Sequence, residues 1–287
     1  MGGMVWFPLA LGAALLWAVG GILVKKGYSG VTPLWYNIIN NLLALVLWVP
    51  AALALNGFRM PLPPWWILLA ILAAAVIYQV FYYSMSKGQI SLTGTIVAAY
   101  PLFTILFSHL FLGERLAGWQ YGGVALILLG GVLVAMPRRL APGTVRDLSW
   151  VLWGVLGAAS IGTGDFLSKF SVNRIGPYAN LFFLALLNNA TSGFNYLLDR
   201  ENRQPPRFAS RSFGFCLMGI VVHLVGALGF LIAFGFGPAS LVSSVSSIYP
   251  AFLVLLAVVF LHDRITWRHA GGIGTIIAGL VLIGLAA

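Results

Sequence analysis

Two ionisable residues, Asp165 and Lys169, lie within one long apolar segment of this 287-residue sequence. They are four positions apart, so a helix would place the carboxylate and the ammonium on the same face, where they could neutralise each other. An acid inside an apolar segment is costly to bury, and such acids often mark pathways for ions or protons. We therefore consider two roles for Asp165 and Lys169: a structural ion pair, or a coupling site that exchanges a proton.

An enzyme is the first class that these residues could suggest, because the tetrapeptide Gly-Thr-Gly-Asp that ends at Asp165 matches a signature of intramembrane aspartyl proteases. That chemistry requires two aspartates that share a proton. The other acidic residues end apolar segments, as Glu114 and Asp263 do, or lie between such segments. The sequence also has no His-Glu-x-x-His, Gly-x-Ser-x-Gly, Cys-x-x-Cys or phosphate-binding loop. We therefore expect no enzyme, no cofactor and no bound metal.

Amide, aromatic and hydroxyl side chains also occur within the apolar segments. Asn37, Asn40 and Asn41 share one helical face, and amides are unfavourable toward lipid. His223 could hold a proton near neutral pH, or it could serve in packing. Such residues suit a site for a neutral, zwitterionic or cationic metabolite, and hydrogen bonding between helices is the alternative role. The predicted substrate-binding residues are Trp17, Asn37, Asn41, Tyr78, Gln79, Tyr82, Tyr100, Asn188, His223, Ser243, Ser247 and Tyr249.

The composition indicates a multi-pass integral membrane protein. The chain is 60% hydrophobic and 8% charged, whereas soluble domains carry about 25% charged residues. Apolar runs of about 20 residues, long enough to cross a bilayer as helices, recur along the chain. We predict ten transmembrane helices, at residues 4–26, 33–55, 64–86, 91–112, 118–136, 149–172, 177–198, 212–235, 240–261 and 267–286.

The basic residues indicate topology rather than nucleic-acid binding. The net charge is +10, but the 16 Lys and Arg residues lie almost entirely between the apolar segments or at their ends. Twelve of them fall on the side of the odd-numbered loops and 4 on the side of the even-numbered loops. The positive-inside rule therefore predicts that both termini lie outside.

An internal repeat organises the chain. The stretch Gly88 to Arg115 recurs as Gly237 to Arg264, with ten identities in 28 positions at a constant offset of 149 residues. A repeat of this length indicates a doubled domain. We predict a first half at residues 1–137, a linker at 138–148 and a second half at 149–287. Because each half has five crossings, the halves must be inverted, as in many secondary transporters.

Each copy of the repeat has a proline near the middle of its apolar segment, Pro101 and Pro250. Proline lacks an amide proton and clashes with the carbonyl four residues earlier, here that of Val97 or Ser246. We predict a kink with a free carbonyl at each position, so that the prolines serve as hinges. Shaping of a cavity without any hinge motion is the alternative.

These residues resemble the drug/metabolite transporter superfamily, specifically the ten-helix EamA-type carriers. The likeness rests on the five-plus-five arrangement, the Gly-x-x-Ser opening and Tyr-Pro centre of spans four and nine, their Glu-Arg and Asp-Arg endings, and glycine-rich spans five and ten. The resemblance implies that spans one to four and six to nine surround a central cavity, with spans five and ten outside. It also implies export or exchange of small metabolites, such as amino acids, their analogues or cations.

We therefore expect a secondary transporter in a bacterial or archaeal cell membrane that moves amino acids, amines or related metabolites by alternating access. The expected partners are a small-molecule substrate, the lipid bilayer, and either a proton or a counter-solute, but no nucleic acid. A channel or a lipid-translocating protein is the alternative. Stimulation of flux by a counter-solute or a proton gradient would distinguish them, because a channel passes solute only downhill.

Overall fold

A computed structural model of the chain describes residues 5–27, 31–87, 93, 96–136, 149–261 and 266–284. All the regular structure in this part of the chain is helical. The linker at 138–148, Asp263, Arg264 and the opening of the first repeat copy at 88–92 lie outside it. The helices are α1 (Trp6–Gly27), α2 (Pro33–Leu55), α3 (Trp65–Lys87), α4 (Pro101–Leu112), α5 (Gly118–Ala135), α6 (Ser149–Ile175), α7 (Pro177–Leu198), α8 (Arg211–Ala233), α9 (Ala239–Ser246), α10 (Tyr249–Leu261) and α11 (Trp267–Gly284).

The helix starts follow local rules. Proline occupies the start of α2, α4 and α7, where its missing amide proton is not needed. The hydroxyl of Thr32 accepts a hydrogen bond from the amide of Trp35 at the start of α2, and Ser210 caps α8 in the same way through Phe213. These caps end the connecting segments at defined positions.

The helices suit a membrane. By length and composition, six helices of the described part can cross a bilayer, and three shorter apolar helices accompany them. Large apolar side chains such as Leu42 and Val46, which are 52% and 66% exposed, lie on the outer surface. Lipid tails can cover such a surface. The predicted ten segments are recovered, with the ninth divided into α9 and α10.

The helix pairs reveal the inverted repeat. The most extensive contacts join α1 to α8, α3 to α6, α2 to α7 and α5 to α11. In the repeat, α1 corresponds to α6 and α8 corresponds to α3. The contact between α1 and α8 is therefore the counterpart of the contact between α6 and α3. The other two pairs each join one helix to its own counterpart. The fold therefore has two inverted five-helix halves, with α5 and α11 paired outside the helices that line the central cavity.

Glycines allow α5 and α11 to approach closely. A Cβ atom added at Gly123 would lie 2.8 Å from the carbonyl oxygen of Gly279, and one added at Gly130 would lie 2.5 Å from that of Gly272. Gly272 and Gly279 are the repeat counterparts of Gly123 and Gly130, at the offset of 149 residues. The contact is thus nearly symmetric and uses small residues, as is common between membrane helices.

We expect Gly130→Ala to destabilise the protein by about 1 to 3 kcal/mol, because the added methyl group must push α5 away from α11. The neighbouring Gly131 is the matched control, since no atom lies within 4 Å of a Cβ added there. Thermal unfolding of the two purified variants in detergent measures the difference. Equal stability of Gly130→Ala and Gly131→Ala would contradict the close α5–α11 contact.

The prolines break the helices rather than kink them. Residues 98–100 form a turn before α4 begins at Pro101, and the carbonyl of Val97 accepts a hydrogen bond of 2.9 Å from the amide of Tyr100. The prediction of a free carbonyl at Val97 is therefore wrong. The chain tightens into a bond between residues three apart, which a proline at the next position permits. A second turn separates α9 from α10, which contains Pro250.

Candidate functional site

A cavity of about 260 Å³ lies between the two halves. This volume is slightly below the range of about 300–1,000 Å³ for sites that bind small molecules. Helices of both halves contribute to its wall. The lining residues are Trp17, Asn40, Asn41, Trp48, Tyr78, Gln79, Phe81, Val97, Tyr100, Ile161, Asp165, Leu184, Asn188, His223, Leu224, Ala227, Phe230, Leu231 and Tyr249.

Most of the predicted site residues meet at this cavity. Trp17, Asn41, Tyr78, Gln79, Tyr100, Asp165, Asn188, His223 and Tyr249 line it. Asn37, Lys169, Ser243 and Ser247 do not, and the side chain of Tyr82 is outside the described part of the chain. The prediction missed the aromatic residues Trp48, Phe81 and Phe230. No local signal distinguishes an aromatic residue that faces a cavity from one that faces lipid.

Asn37 lies in the contact between α2 and α7 instead. Its Oδ1 accepts a hydrogen bond of 2.6 Å from the hydroxyl of Ser192, and Asn41 donates to it at 3.4 Å. Asn41 also donates to Ser192 and to the backbone carbonyl of Asn188. The asparagine-bearing face of α2 therefore joins the two halves. Of Asn37 and Asn41, only Asn41 lines the cavity.

The carboxylate of Asp165 is held by three hydroxyl groups. Tyr78 of α3 donates to Oδ1 at 2.9 Å, while Ser243 of α9 and Thr104 of α4 donate to Oδ2 at 2.9 and 3.5 Å. Asp165 is only 1% exposed. Buried charge requires such partners. This network links α6 to helices of both halves.

Glycines of the Gly-Thr-Gly-Asp tetrapeptide bring these partners close. A Cβ atom at Gly164 would lie 2.5 Å from the ring of Tyr78, and one at Gly162 would lie 2.7 Å from the carbonyl oxygen of Tyr100. The tetrapeptide is therefore a packing motif here, and it lets α3 and the start of α4 approach α6 closely enough for Tyr78 and Thr104 to bind Asp165.

Lys169 does not pair with Asp165. Its Nζ donates to the backbone carbonyls of Phe234 and Gly237, at 2.6 and 2.9 Å, and no ion pair joins Lys169 to Asp165 in the described structure. The structural ion pair, one of the two roles considered for these residues, is therefore not formed here. A spacing of four residues on a helix does not by itself make Asp165 and Lys169 bind each other. The long lysine side chain extends to the end of α8, while Asp165 binds hydroxyl groups nearby.

Ser243 and Ser247 lie behind the cavity wall. The phenol of Tyr100 donates to the carbonyl of Ser243 at 3.1 Å and lies 2.9 Å from the hydroxyl of Ser246. The hydroxyl of Ser247 donates to the carbonyl of Ser244 at 2.8 Å. Nearby hydroxyl groups therefore donate to backbone carbonyls at the end of α9, where the helix is broken. This agrees with a structural rather than a ligand-binding role for these serines.

Aromatic rings surround Trp17 on the opposite wall. The centroid of its ring lies 5.2 Å from that of Phe230, 6.3 Å from that of His223 and 6.5 Å from that of Tyr249. Ring faces attract organic cations and also cover apolar groups. This cluster, formed by Trp17, His223, Phe230 and Tyr249, is called the aromatic wall below.

Asn188 carries a polar atom that has no partner among the described residues. Its Oδ1 is buried and accepts no hydrogen bond from the described residues, although the side chain is only 8% exposed and lines the cavity. The amide of its neighbour Asn189, by contrast, donates to the carbonyls of Asn41 and Ala185 at 2.7 and 2.9 Å. An unsatisfied buried acceptor costs about 1–3 kcal/mol. A ligand that donates to Asn188 would recover this free energy.

The charge of the cavity disfavours anions. Of the described residues that line it, none is lysine or arginine, and Asp165 is the one carboxylic acid. A substrate phosphate or an excess of carboxylates would therefore meet no fixed positive charge. The arrangement can accept ammonium groups, hydroxyl groups and apolar parts.

Comparison with known proteins agrees with this architecture. The model of the EamA-like transporter family matches residues 4–136 and 148–285. An uncharacterized transporter of Archaeoglobus fulgidus is 25% identical over 285 residues, covering 98% of both chains. The pseudopaline exporter of Pseudomonas aeruginosa is 26% identical over 241 residues, covering 82% of this chain and 80% of its own.

Two further similarities extend the comparison. A probable terminal-alkyne amino-acid exporter of Streptantibioticus cattleyicolor is 28% identical over 199 residues, covering 66% of this chain and 62% of its own. A solved structure titled "Crystal structure of protein" has a TM-score of 0.81 at 20% identity, and it covers 98% of this chain and 97% of its own, which supports the fold alone. The chain belongs to the EamA-like transporter family and is a multi-pass membrane transporter rather than an enzyme.

Proposed function

We propose that this chain is a secondary transporter that moves small metabolites with an amino group, either amino acids or amines, by alternating access. The observation that carries the proposal is the cavity of about 260 Å³ between two inverted halves, lined by residues of both. A site at the junction of inverted repeats can be reached from either face when the halves change their relative tilt.

The substrate class follows from the polar atoms of the cavity. An ammonium group that reaches the buried Oδ1 of Asn188 would pair an acceptor that has no other partner among the described residues. The aromatic wall around Trp17 offers ring faces to the same cation or to an attached apolar group. A zwitterion or a cation of modest size suits this combination better than an anion does.

The relatives support export as the direction. One is a probable terminal-alkyne amino-acid exporter and another is a pseudopaline exporter. Export of an amino compound, alone or in exchange for another solute, is therefore the form of transport that we propose.

Asp165 is our proposed coupling residue, and Pro101 and Pro250 are the proposed hinges. The carboxylate of Asp165 joins α6 to hydroxyls on α3, α4 and α9, so a change in its protonation would alter contacts between the halves. Pro101 starts α4 and Pro250 is the second residue of α10, so both lie beside the two turns, where backbone rotation breaks fewest helical hydrogen bonds.

The test begins with a thermal-shift screen of the purified protein against amino acids, amines and sugars, since a ligand stabilises the state that it binds. An amino compound is expected to raise the melting temperature. In proteoliposomes, the same compound on the far side should then accelerate uptake of its labelled form. Downhill flux without any stimulation by exchange would contradict the proposal and indicate a channel.

Two adjacent asparagines provide a matched pair of variants for this screen. Asn188→Ala removes the unpaired acceptor, so we expect ligand affinity to fall about tenfold while stability without ligand is kept. Asn189→Ala removes one hydrogen bond to Asn41 of α2 and one to Ala185 within α7. It should lower stability without ligand and leave affinity nearly unchanged. The reverse pattern would rule out Asn188 as a ligand contact.

A further inference from the structure

Two charged side chains hold the connection between α8 and α9, residues 234–238. Lys169 of α6 contacts it where α8 ends, and Glu114, just after α4, contacts the start of α9. All these ends lie at the face where α1 begins and α11 ends, called the terminal face below. Neither residue lines the cavity, so the proposed binding role leaves both without a function.

Lys169 binds the negative end of α8. Its ammonium donates to the carbonyl of Phe234, the C-cap residue of α8, and also to that of Gly237, which lies in the connection just before α9. The carbonyls at a helix C-terminus have no partners within the helix and carry partial negative charge. A lysine at this position therefore satisfies them and matches their charge.

Glu114 binds the positive end of α9. Its Oε1 accepts a hydrogen bond of 2.8 Å from the amide of Ala239, and its Oε2 accepts from the amide and the hydroxyl of Ser240, at 3.1 and 2.6 Å. These amides are the unpaired donors of the helix N-terminus. Because Glu114 belongs to the first half and α9 to the second, the contact crosses between the halves.

Packing seals the same connection. Phe234 is fully buried. A Cβ atom added at Gly237 would collide with the ring of Trp6, and one added at Gly235 would lie 2.8 Å from Pro177. Phe230 and Leu231 of the cavity wall precede Phe234 by one turn of α8. The connection therefore lies between the cavity and the terminal face.

We propose that Lys169 and Glu114 form a latch that closes the cavity toward the terminal face and must release for substrate to pass there. This inference rests on the proposed alternating access. The latch draws on both halves, since Lys169 and the connection belong to the second half and Glu114 to the first. A relative tilt of the halves that opens this face has to remove Glu114 from the start of α9. The hydrogen bonds of Glu114 thus favour the closed state, and those of Lys169 hold the connection in the position that Glu114 binds.

The test measures access to the cavity from each face. In a Cys216→Ala background, Ala227→Cys places a thiol on the cavity wall, and a membrane-impermeant maleimide is added to right-side-out or inside-out vesicles. An N-terminal epitope tag identifies the terminal face. Glu114→Gln and Lys169→Met are each expected to increase labelling from the terminal face about tenfold, since each loses charge-assisted hydrogen bonds. Labelling from the opposite face should fall.

Lys169→Arg and Lys25→Met are the controls. Lys169→Arg keeps the charge and the donors, so its labelling should stay close to that of the parent. Lys25 is the sequence counterpart of Lys169 at the other face, and its side chain lies outside the described structure. Lys25→Met should not increase labelling from the terminal face. If Lys169→Met does not fold, the nearly isosteric Glu114→Gln decides the result.

Unchanged labelling from both faces in folded Glu114→Gln protein would overturn the latch, and so would an equal increase in Lys25→Met. The labelling needs no substrate. A failure of the latch is therefore distinguishable from a failure of the proposed function, which is judged by ligand-induced stabilisation and exchange.

Discussion

Asp165→Asn is expected to abolish proton-driven accumulation of substrate while leaving solute exchange in place. An asparagine has nearly the same shape as the aspartate, and its carbonyl oxygen can still accept from Tyr78 or Ser243, so the α3–α6–α9 contacts should persist. It cannot gain or lose a proton, and a carrier coupled through this position would lose its driving force. Uptake driven by an imposed pH gradient, compared with counter-flow at equal pH, measures the effect.

The controls separate coupling from stability. Asp199, which binds Tyr83 and Asn202 outside the cavity, is the matched acid, and Asp199→Asn should keep proton-driven uptake. Full proton-driven transport by folded Asp165→Asn protein would end the coupling hypothesis.

The structure also changes what a double variant should do. Because Asp165 and Lys169 have separate partners, Asp165→Asn and Lys169→Met should have nearly additive effects on the free energy of unfolding, within about 0.5 kcal/mol. A direct ion pair would instead let the double variant regain much of the lost stability. Denaturation of the two single variants and the double variant completes the cycle.

Ala227→Trp is expected to eliminate substrate binding and transport without unfolding the protein. Ala227 lines the cavity, and an indole at this position would occupy much of a space of about 260 Å³. Binding and counter-flow in proteoliposomes provide the measurement. The smaller Ala227→Leu should weaken binding about tenfold, which corresponds to an overpacking cost of about 1.4 kcal/mol.

Val225→Trp is the control on the same helix. Val225 is 48% exposed on the outer surface, where an added indole meets no part of the cavity, so transport should remain close to that of the parent. If folded Ala227→Trp protein transports normally, the substrate does not pass through this cavity.

The architecture could be predicted from the sequence because its determinants are local. A run of about 20 apolar residues has one stable conformation in lipid, a helix, and its length depends on the bilayer rather than on distant residues. The starts of α2 and α7 at Pro33 and Pro177 also follow from a local signal, since proline is favoured at the first position of a helix. Copying at a constant offset, together with an odd number of crossings, then required inverted halves.

The partners of individual side chains depended on the tertiary structure. Asn188 and Asn189 are adjacent and chemically identical. The rotation of α7 about its axis places Asn188 at the cavity and directs Asn189 toward the backbone carbonyl of Asn41. Lys169 has the helix spacing of an ion pair with Asp165, but it binds the end of α8 more than 60 positions later in the chain.

The sequence by itself therefore determined the membrane location, the ten segments and the doubling, and most of the site residues predicted from it line the cavity. The tertiary structure decided which polar atoms of the described residues are left unpaired and which groups the charged side chains bind. The physical reason is the reach of the interactions. Burial in lipid acts on each segment separately, whereas a hydrogen bond such as that from Ser240 to Glu114 requires two helices from different halves to come together.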